Sequence, residues 1–208
     1  MIPEEERAEQ MIIHFQGLYG DITWWPGDPE EVMIGAVLTQ QTRWENVETA
    51  LKRLREAGIC SLSGIEGSSD QSLEEAIFPT GFYRIKRERL QCLASAVLSC
   101  GGTKSLKEYP TPPRLRAFFL AIKGVGPETA DSILCYGFSR PVFVMDAYTR
   151  RVCACAGISR TGRDLQALFQ CLLPEEHRAH QQCHAWFVEY AKHYCGKKRC
   201  EECMIPNF

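Results

Sequence analysis

Apolar side chains recur at intervals of three and four residues along most of the chain, which is the period of an amphipathic helix. Between Glu4 and Tyr19, for example, they form a single stripe. The alternation of apolar and polar residues that is typical of strands is missing, so the predicted fold class is all-α. The pattern predicts helices over residues 4–19, 30–39, 45–57, 84–98, 112–122, 128–138, 147–156, 164–173 and 178–194.

Three segments interrupt the helical pattern. Thr23–Pro29 is rich in turn-forming residues, Gly64–Ser72 is predicted to be a polar loop, and Val142–Met145 is predicted to be short and extended. Gly101 and Gly102 are expected to end the helix before them, because glycine readily adopts the left-handed conformation that closes a helix. The 208 residues contain no internal repeat and suffice for one large domain or two small ones.

The composition indicates an ordinary globular protein, since 45% of the residues are hydrophobic and 24% are charged. No apolar run approaches the roughly 20 residues that a membrane span needs. The N-terminal residues are acidic, whereas a secretory signal begins with a basic segment followed by an apolar one. A cytoplasmic protein without membrane contact is therefore expected.

The net charge of −2 excludes a polycation but leaves nucleic-acid binding open, because binding needs only a local basic face. Basic residues cluster in three places, and each cluster is either a solvated helix face or part of such a binding face. The clusters are Arg84, Lys86, Arg87 and Arg89; Arg140, Arg150 and Arg151; and Lys197, Lys198 and Arg199.

Eleven cysteines is a high and odd number for this chain. A disulfide framework is not expected in a cytoplasmic protein, whose thiols stay reduced, and most of the cysteines lie in apolar contexts that are typical of small core residues. Cys195, Cys200 and Cys203 differ, because spacers of four and two residues are typical of a metal site. From the residues alone, a zinc site of three Cys and one His and an unmetallated tail are both open interpretations.

A glycine hairpin is predicted within Leu120–Ala130, where one helix ends and another begins around Gly-Val-Gly. Gly124 and Gly126 can adopt positive φ, which a tight reversal between helices demands, and Pro127 suits the first turn of the second helix. The unpaired backbone N–H groups at that helix start could bind a phosphate. An ordinary turn between two helices is the alternative interpretation.

Several segments resemble, in order, those of the endonuclease III superfamily of DNA glycosylases. Gly124–Val152, with its hairpin, apolar segment and single aspartate, resembles the family's helix-hairpin-helix, Gly/Pro-rich loop and Asp. Met33–Leu51 and Gly81–Leu90 resemble two further helical segments of the family, and Cys195–Cys203 resembles its iron–sulfur loop. Together the resemblance extends from about Trp24 to Cys203.

This resemblance implies a bilobal helical fold. Residues 23–139 would form a six-helix barrel lobe, with the helix-hairpin-helix at about 113–138, and residues 1–22 and 140–208 would form a second helical lobe with the Cys-rich loop. A monomer would bind double-stranded DNA containing a damaged base across the hairpin, with the active site in a cleft between the lobes. In a prokaryotic cell such a protein would associate with the nucleoid while acting.

The resemblance also assigns catalysis to Asp146, which by itself would be interpreted as the N-cap of the helix that follows. Cleavage of an N-glycosidic bond builds positive charge on the sugar, and a carboxylate can stabilise that charge and orient the attacking water. Glu128 occupies the position at which bifunctional members carry a lysine, eighteen residues before the aspartate. Because glutamate cannot form the Schiff base that leads to strand cleavage, a monofunctional glycosylase is implied. Lys123 precedes the turn and is expected to point elsewhere.

Adjacent tryptophans near residue 24, combined with the glutamate in the hairpin, resemble the 3-methyladenine glycosylase branch of the superfamily. Aromatic rings there sandwich a flipped, electron-poor base, and a cationic alkylated purine gains from cation–π attraction. The alternatives are a glycosylase for mismatched or deaminated bases, a bifunctional glycosylase and lyase for oxidised pyrimidines, and a non-catalytic lesion binder. The implied base pocket contains Trp24, Trp25, Gln40 and Tyr148; the implied DNA contacts are Gly124, Val125, Gly126, Thr129, Gln41 and Phe82, of which the last two would enter the DNA.

For the cysteine loop, the resemblance implies a [4Fe–4S] cluster held by four Cys thiolates, three of them Cys195, Cys200 and Cys203. The family's spacing puts the fourth at position 209, whereas the sequence ends at Phe208. His193 and Cys183 are the nearby candidates for a substitute ligand. Zinc and no metal are the alternatives.

Overall fold

Over residues 2–23 and 27–205, which this computed structural model describes, the protein consists of helices and loops without a β-strand. The all-α prediction is confirmed. No helix within these ranges is long and apolar enough to cross a membrane. The α-helices are α1 (Glu4–Tyr19), α2 (Pro29–Leu38), α3 (Trp44–Glu56), α4 (Leu62–Gly67), α5 (Asp70–Ile77), α6 (Tyr83–Ser99), α7 (Gly102–Lys107), α8 (Pro112–Leu120), α9 (Pro127–Ser132), α10 (Ala147–Cys155), α11 (Gly162–Leu172) and α12 (His177–His193).

Three shorter helical turns complete the described structure. Phe78–Thr80 and Cys200–Glu202 form 3₁₀ turns, and Ile133–Gly137 continues α9 as a π-helical turn. The predicted extended segment Val142–Met145 lies between helices and is not part of a sheet.

The chain forms two compact units, Trp25–Phe138 and Met1–Trp24 joined with Ser139–Phe208. The first of these, the central unit, is built around α2, whose residues Val32–Leu38 are all buried. A helix that is apolar on every side belongs inside a core, and α2 accordingly packs against α3, α6, α9 and the π-helical turn.

The second, terminal unit has an aromatic core contributed by α1, α11, α12 and the segment before α10. Phe15 of α1 lies with its ring centroid 4.7 Å from Tyr190 and 5.0 Å from Phe187, both on α12. Phe143 stacks on Phe169 of α11 at 4.8 Å. Because these large rings are buried, they fix the positions of α10 and α12, which pack directly on each other.

The prediction of a polar loop over Gly64–Ser72 is wrong, because α4 and α5 occupy most of this segment. The hydroxyl groups of Ser61 and Ser69 cap the two helices, each accepting the backbone N–H three residues on, at 3.0 and 3.2 Å. Leu62 and Leu73 anchor the helices in the core. Helices of six and eight residues contain too few apolar positions for a period to emerge among so many serines and glycines.

The predicted stop after the longest helix of the central unit is present. α6 ends at Ser99, and Gly101 and Gly102 both have positive φ, 96° and 76°. The sequence pattern did not predict that α7 begins directly at Gly102.

Candidate functional site

The reversal between α8 and α9 depends on Gly124 for two reasons. Its φ of +88° lies in the left-handed region that glycine adopts without strain. A Cβ at this position would also lie 2.2 Å from Cγ of Arg89, so the arginine stem packs directly on the hairpin backbone. The Val125 N–H donates to the Ile122 carbonyl at 3.1 Å and closes the turn.

A bidentate ion pair joins the two helices of the hairpin. Arg116 of α8 donates from Nε and Nη2 to the two carboxylate oxygens of Asp131 on α9, at 2.6 and 3.1 Å. The hydrogen bonds that Arg116 donates to Asp131, which is only 1% exposed, raise the pKa of Arg116. Since both oxygens of the buried carboxylate are satisfied, the pair fixes the angle at which the hairpin presents its turn.

The hairpin residues predicted to contact DNA differ in what they expose. The side chains of Val125 and Thr129 are each 6% exposed, so a contact to DNA from these positions would come from the backbone. Gly126 is the N-cap of α9, and Glu128 lies exposed in its first turn. Lys123 is 77% exposed, and its ammonium lies 3.7 Å from Glu88 on α6.

Gln40, predicted to line the base pocket, instead has its side-chain amide engaged inside the central unit. Its Nε2 donates to the Gly124 carbonyl and to Thr129 Oγ1, both at 3.0 Å, and its Oε1 accepts a hydrogen bond from Arg89. Both amide hydrogens are therefore used within the fold. Contact of Gln40 with a base stays a prediction, and its established contacts connect the loop after α2 to the hairpin.

Gln41 and Phe82, the two residues predicted to enter the DNA, share an unusual backbone. Both have positive φ, 55° for Gln41 and 46° for Phe82, although neither is glycine. Both side chains are exposed, Phe82 to 62%. Left-handed conformations in non-glycine residues store strain, which persists only where surrounding contacts hold the backbone in place.

Lys86 belongs to a basic cluster that the sequence presented as either a solvated face or a DNA-binding face, but it is buried. Its side chain is 1% exposed, and Nζ donates to the carbonyls of Leu38 and Thr80, both at 2.8 Å. Burial, with a smaller contribution from the charge of Arg89, lowers the pKa of Lys86 from 10.5 to about 8. This ammonium therefore has an internal role.

We expect the free energy of unfolding to rise with pH between about 8 and 10.5 because of Lys86. In this window the unfolded chain keeps the proton that the folded protein has lost, so rising pH favours the folded state, by up to about 3 kcal/mol. Denaturant unfolding across this range should show a steeper pH dependence for the wild-type protein than for Lys86→Met. Lys52→Met, at a side chain 74% exposed, is the charge-matched control and should keep the wild-type slope. Equal slopes in all three proteins would refute the assignment.

In the terminal unit, Asp146 is the N-cap of α10 and is 9% exposed. Its Oδ1 accepts the Thr149 N–H at 2.7 Å, and Oδ2 lies 3.4 Å from Nε2 of His184 on α12. One carboxylate oxygen of Asp146 therefore caps the start of α10, and the other lies close to a buried imidazole. The N-cap interpretation of the residue is correct, and it is compatible with a catalytic role.

The surroundings of Asp146 favour its ionised form. Burial is the largest influence and raises the pKa, but the adjacent His184 imidazole, together with the hydrogen bond from the Thr149 N–H, outweighs it and lowers the pKa. The nearby Cys153 thiol responds in the opposite direction, because burial and the charge of Asp146 raise its pKa to about 12. Asp146 thus supplies a fixed negative charge near neutral pH.

The remaining residues predicted for the base pocket are only partly described by the structure. Tyr148 lies in the first turn of α10, two residues after Asp146, and is 37% exposed. Trp24 and Trp25 lie outside the described residues. The pocket as a whole stays a prediction.

The cysteine loop follows α12 and has a basic, partly exposed surface. Cys200 is exposed, while Cys195 and Cys203 pack partly against the terminal core, with Cys203 Sγ 3.3 Å from the Tyr190 hydroxyl. Among the described residues, no group of three or more His, Cys, Asp or Glu side chains is arranged to hold a metal ion.

The proposed substitute ligands do not complete such a site. Cys183 is fully buried in the terminal core. His193 has its Nε2 2.7 Å from Nη1 of Arg199. The [4Fe–4S] cluster and zinc both stay predictions, which iron, sulfide and zinc analysis of the purified protein would decide.

Sequence reasoning did not single out two groups that the structure places beside the predicted site residues. Arg89 was seen only as one of several clustered basic residues, and its contact with Gln40 joins positions 49 residues apart. His184 lies on a predicted helix with nothing to distinguish it, because its partner Asp146 is remote in sequence. Only the folded chain brings these groups together.

Comparison with known proteins establishes the family. The family model of the HhH-GPD superfamily base excision DNA repair protein matches residues 34–174, which include the hairpin and Asp146. The chain belongs to this superfamily. As a member, it is a base excision repair protein of the DNA glycosylase class.

Related proteins cover nearly the whole chain. A protein of Methanocaldococcus jannaschii, named as a DNA repair glycosylase, is 36% identical over 91% of this chain and 90% of its own length. The structure of a 3-methyladenine DNA glycosylase of H. pylori, bound to 1,N6-ethenoadenine, has a TM-score of 0.78 and 27% identity, covering 92% of this chain and 98% of that one. An endonuclease III–DNA complex has a TM-score of 0.81 over 99% of this chain and 94% of its own, and at 20% identity supports the fold alone.

Proposed function

We propose that this superfamily member is a monofunctional DNA N-glycosylase that flips an alkylated purine, such as 3-methyladenine, out of duplex DNA and hydrolyses its bond to the sugar. It would act as a monomer on double-stranded DNA, with residues 23–139 and 1–22 plus 140–208 as its two lobes. Two observations in this chain together carry the proposal: Asp146 is buried with a lowered pKa, and position 128, where a lyase would need an amine, is a glutamate.

The proposed role of Asp146 is electrostatic. As the bond between C1′ and the base nitrogen lengthens, its electron pair leaves with the base and positive charge grows on the sugar. A carboxylate held at low pKa by His184 and Thr149 opposes that charge without first losing a proton. Water then forms the new bond to C1′ and releases a proton to the solvent, leaving a free base and an abasic site.

One carboxylate suffices only if the base leaves easily. An alkylated purine carries positive charge on its ring and departs as a neutral molecule, so the departing base needs little acid assistance. Hydrolysis of an unmodified base would need a proton donor beside the base as well. A single carboxylate is therefore better suited to alkylated purines than to normal bases in mismatches.

Glu128 supports hydrolysis without strand cleavage. A lyase forms a Schiff base between an amine and C1′, and a carboxylate has no amine to offer. Lys123 lies four residues before the start of α9, and its ammonium is 3.7 Å from Glu88. A second candidate, a bifunctional endonuclease, is therefore not favoured by the hairpin.

The similarity to the H. pylori enzyme supports the substrate class, since that protein is named for 3-methyladenine and is bound to a modified adenine. Tyr148, exposed two residues after Asp146, is the described aromatic that we propose for stacking against the base. Trp24 and Trp25 are the other proposed stacking partners. Stacking of a cationic purine on such rings is favourable by about 0.5 to 2 kcal/mol per contact.

We expect base release from duplexes containing 3-methyladenine or another N-alkylated purine, and much slower release from thymine glycol, uracil or a T·G mismatch. Single-turnover rates of base release are measured on duplexes that differ only in the damaged base or mismatch. Alkali then cuts the abasic sites, and the rates rank the substrates directly. Each substrate is also run without alkali, which separates hydrolysis from lyase activity.

The alternative functions give different results in the same assay. Fastest release of an oxidised pyrimidine, with cleavage before alkali, would indicate the bifunctional enzyme. Fastest release from uracil or from the T·G mismatch would indicate a deaminated-base or mismatch glycosylase. Tight binding to the damaged duplex without release of any base would indicate a lesion binder.

A further inference from the structure

Helix α6 carries an internal basic pair, Lys86 and Arg89, that the catalytic account does not use. A buried lysine is costly unless it is paired, yet no carboxylate within residues 27–138 forms an ion pair with Lys86. Its Nζ instead donates two 2.8 Å hydrogen bonds to backbone carbonyls of separate segments. A methionine would fill the same space without burying a charge, so core packing alone does not explain a lysine here.

The two carbonyls that Lys86 binds belong to the segments that lead into the strained loops. Leu38 is the last residue of α2, three residues before Gln41, and Thr80 ends a 3₁₀ turn two residues before Phe82. Both loop residues are exposed and have positive φ. Non-glycine residues keep this conformation only when neighbouring contacts hold the backbone. One ammonium thus ties both strained loops to the same helix.

Arg89, one turn further along α6, extends the connection to the hairpin. Its guanidinium donates to Gln40, whose amide in turn donates to Gly124 and to Thr129. Its aliphatic stem lies against Gly124, where even a Cβ would not fit. The loop after α2 is therefore fixed both to α6 and to the hairpin.

We propose that Lys86 and Arg89 are positioning residues, which hold the Gln41 loop, the Phe82 loop and the hairpin in one arrangement suited to an opened base pair in duplex DNA. The proposal rests on the proposed function, in which the two exposed loops enter the duplex. Preorganised loops do not have to be ordered when DNA binds, which leaves more of the binding free energy to separate the base from its stack.

This role predicts a substrate-dependent defect. Extracting a paired base costs a few kcal/mol, and the cost is smaller when the base is already unpaired. Loops that are poorly positioned should therefore slow release of a paired lesion strongly and release of an unpaired lesion weakly. A general loss of folding or a damaged catalytic centre would slow both equally.

The test compares Lys86→Met and Arg89→Met with the wild-type protein and with Lys52→Met, an exposed charge-matched control in the same unit. Each is given an alkylated purine opposite its normal partner and opposite an abasic-site analogue. We expect release from the paired lesion to fall at least about tenfold in both variants and release from the unpaired lesion to fall less than about threefold. Arg89→Met removes a half-buried group, so the comparison stands even if Lys86→Met does not fold.

Binding gives a second readout that needs no catalysis. The wild-type preference for a duplex containing an abasic-site analogue over undamaged duplex should fall at least about tenfold in the two α6 variants and persist in the control. Absence of base release by the wild-type protein would count against the proposed function, while this binding preference would still test the positioning role. The positioning role would be overturned if both variants released the paired and the unpaired lesion equally slowly. It would also be overturned if both variants kept the wild-type binding preference.

Discussion

Asp146→Asn is expected to abolish base release while leaving DNA binding intact. In the proposed mechanism the carboxylate acts on the charge that develops on the sugar, whereas the phosphate contacts would come from the hairpin. Loss of one preorganised electrostatic partner costs on the order of a hundredfold or more in rate. Single-turnover release from an alkylated duplex, measured alongside binding to the same DNA, checks both halves of the prediction.

The substitution isolates charge from capping, because asparagine caps a helix about as well as aspartate. The unfolding midpoint should therefore change little. Asp21→Asn, at an exposed carboxylate in the same terminal unit, is the matched control and should keep the wild-type rate. If Asp146→Asn retained more than about a tenth of the activity, the residue would be mainly a cap and the catalytic assignment would fail.

Glu128→Lys is expected to introduce trapping by borohydride, which reduces the Schiff base between an amine and an abasic sugar. The wild-type protein should give no trapped complex, because glutamate cannot form that bond. In the variant, trapping and some strand cleavage should appear and should increase with pH, since only a neutral lysine attacks. Denaturing gels of borohydride-treated complexes with abasic duplex give the yield.

Glu128→Gln is the control for this gain of function, because it removes the same negative charge without adding an amine. It should trap no more than the wild-type protein. Strong trapping by the wild-type protein would contradict the monofunctional assignment, and Lys123→Met would then show whether that lysine is responsible. No trapping by Glu128→Lys at any pH would mean that position 128 does not face the sugar.

The sequence predicts the fold where elements are long and strongly periodic, and fails where they are short. α1 is found over the predicted residues 4–19, because its sixteen residues repeat an apolar stripe more than four times. α4 and α5 were not predicted, because each is held by a serine cap and by two buried leucine or isoleucine side chains. In such short helices tertiary burial, which a single sequence does not display, determines the structure.

The candidate site was predictable where a motif fixes a backbone position. The turn at Gly124 and the cap at Asp146 follow from local chemistry that a reader can recognise in the chain. The contacts of Lys86 were not predictable, because its partners at Leu38 and Thr80 depend on how α2 and α6 pack. Likewise, nothing near His184 in the sequence indicates that it lies beside Asp146.

The central claim is that the protein hydrolyses the bond to an alkylated purine and leaves the DNA strand intact. Its most direct test measures free base and strand breaks in the same sample, using the wild-type protein and a duplex with one labelled 3-methyladenine. We expect one released base for each abasic site, with strand breaks appearing only after alkali. Strand breaks in step with base release before alkali, or no released base at all, would contradict it.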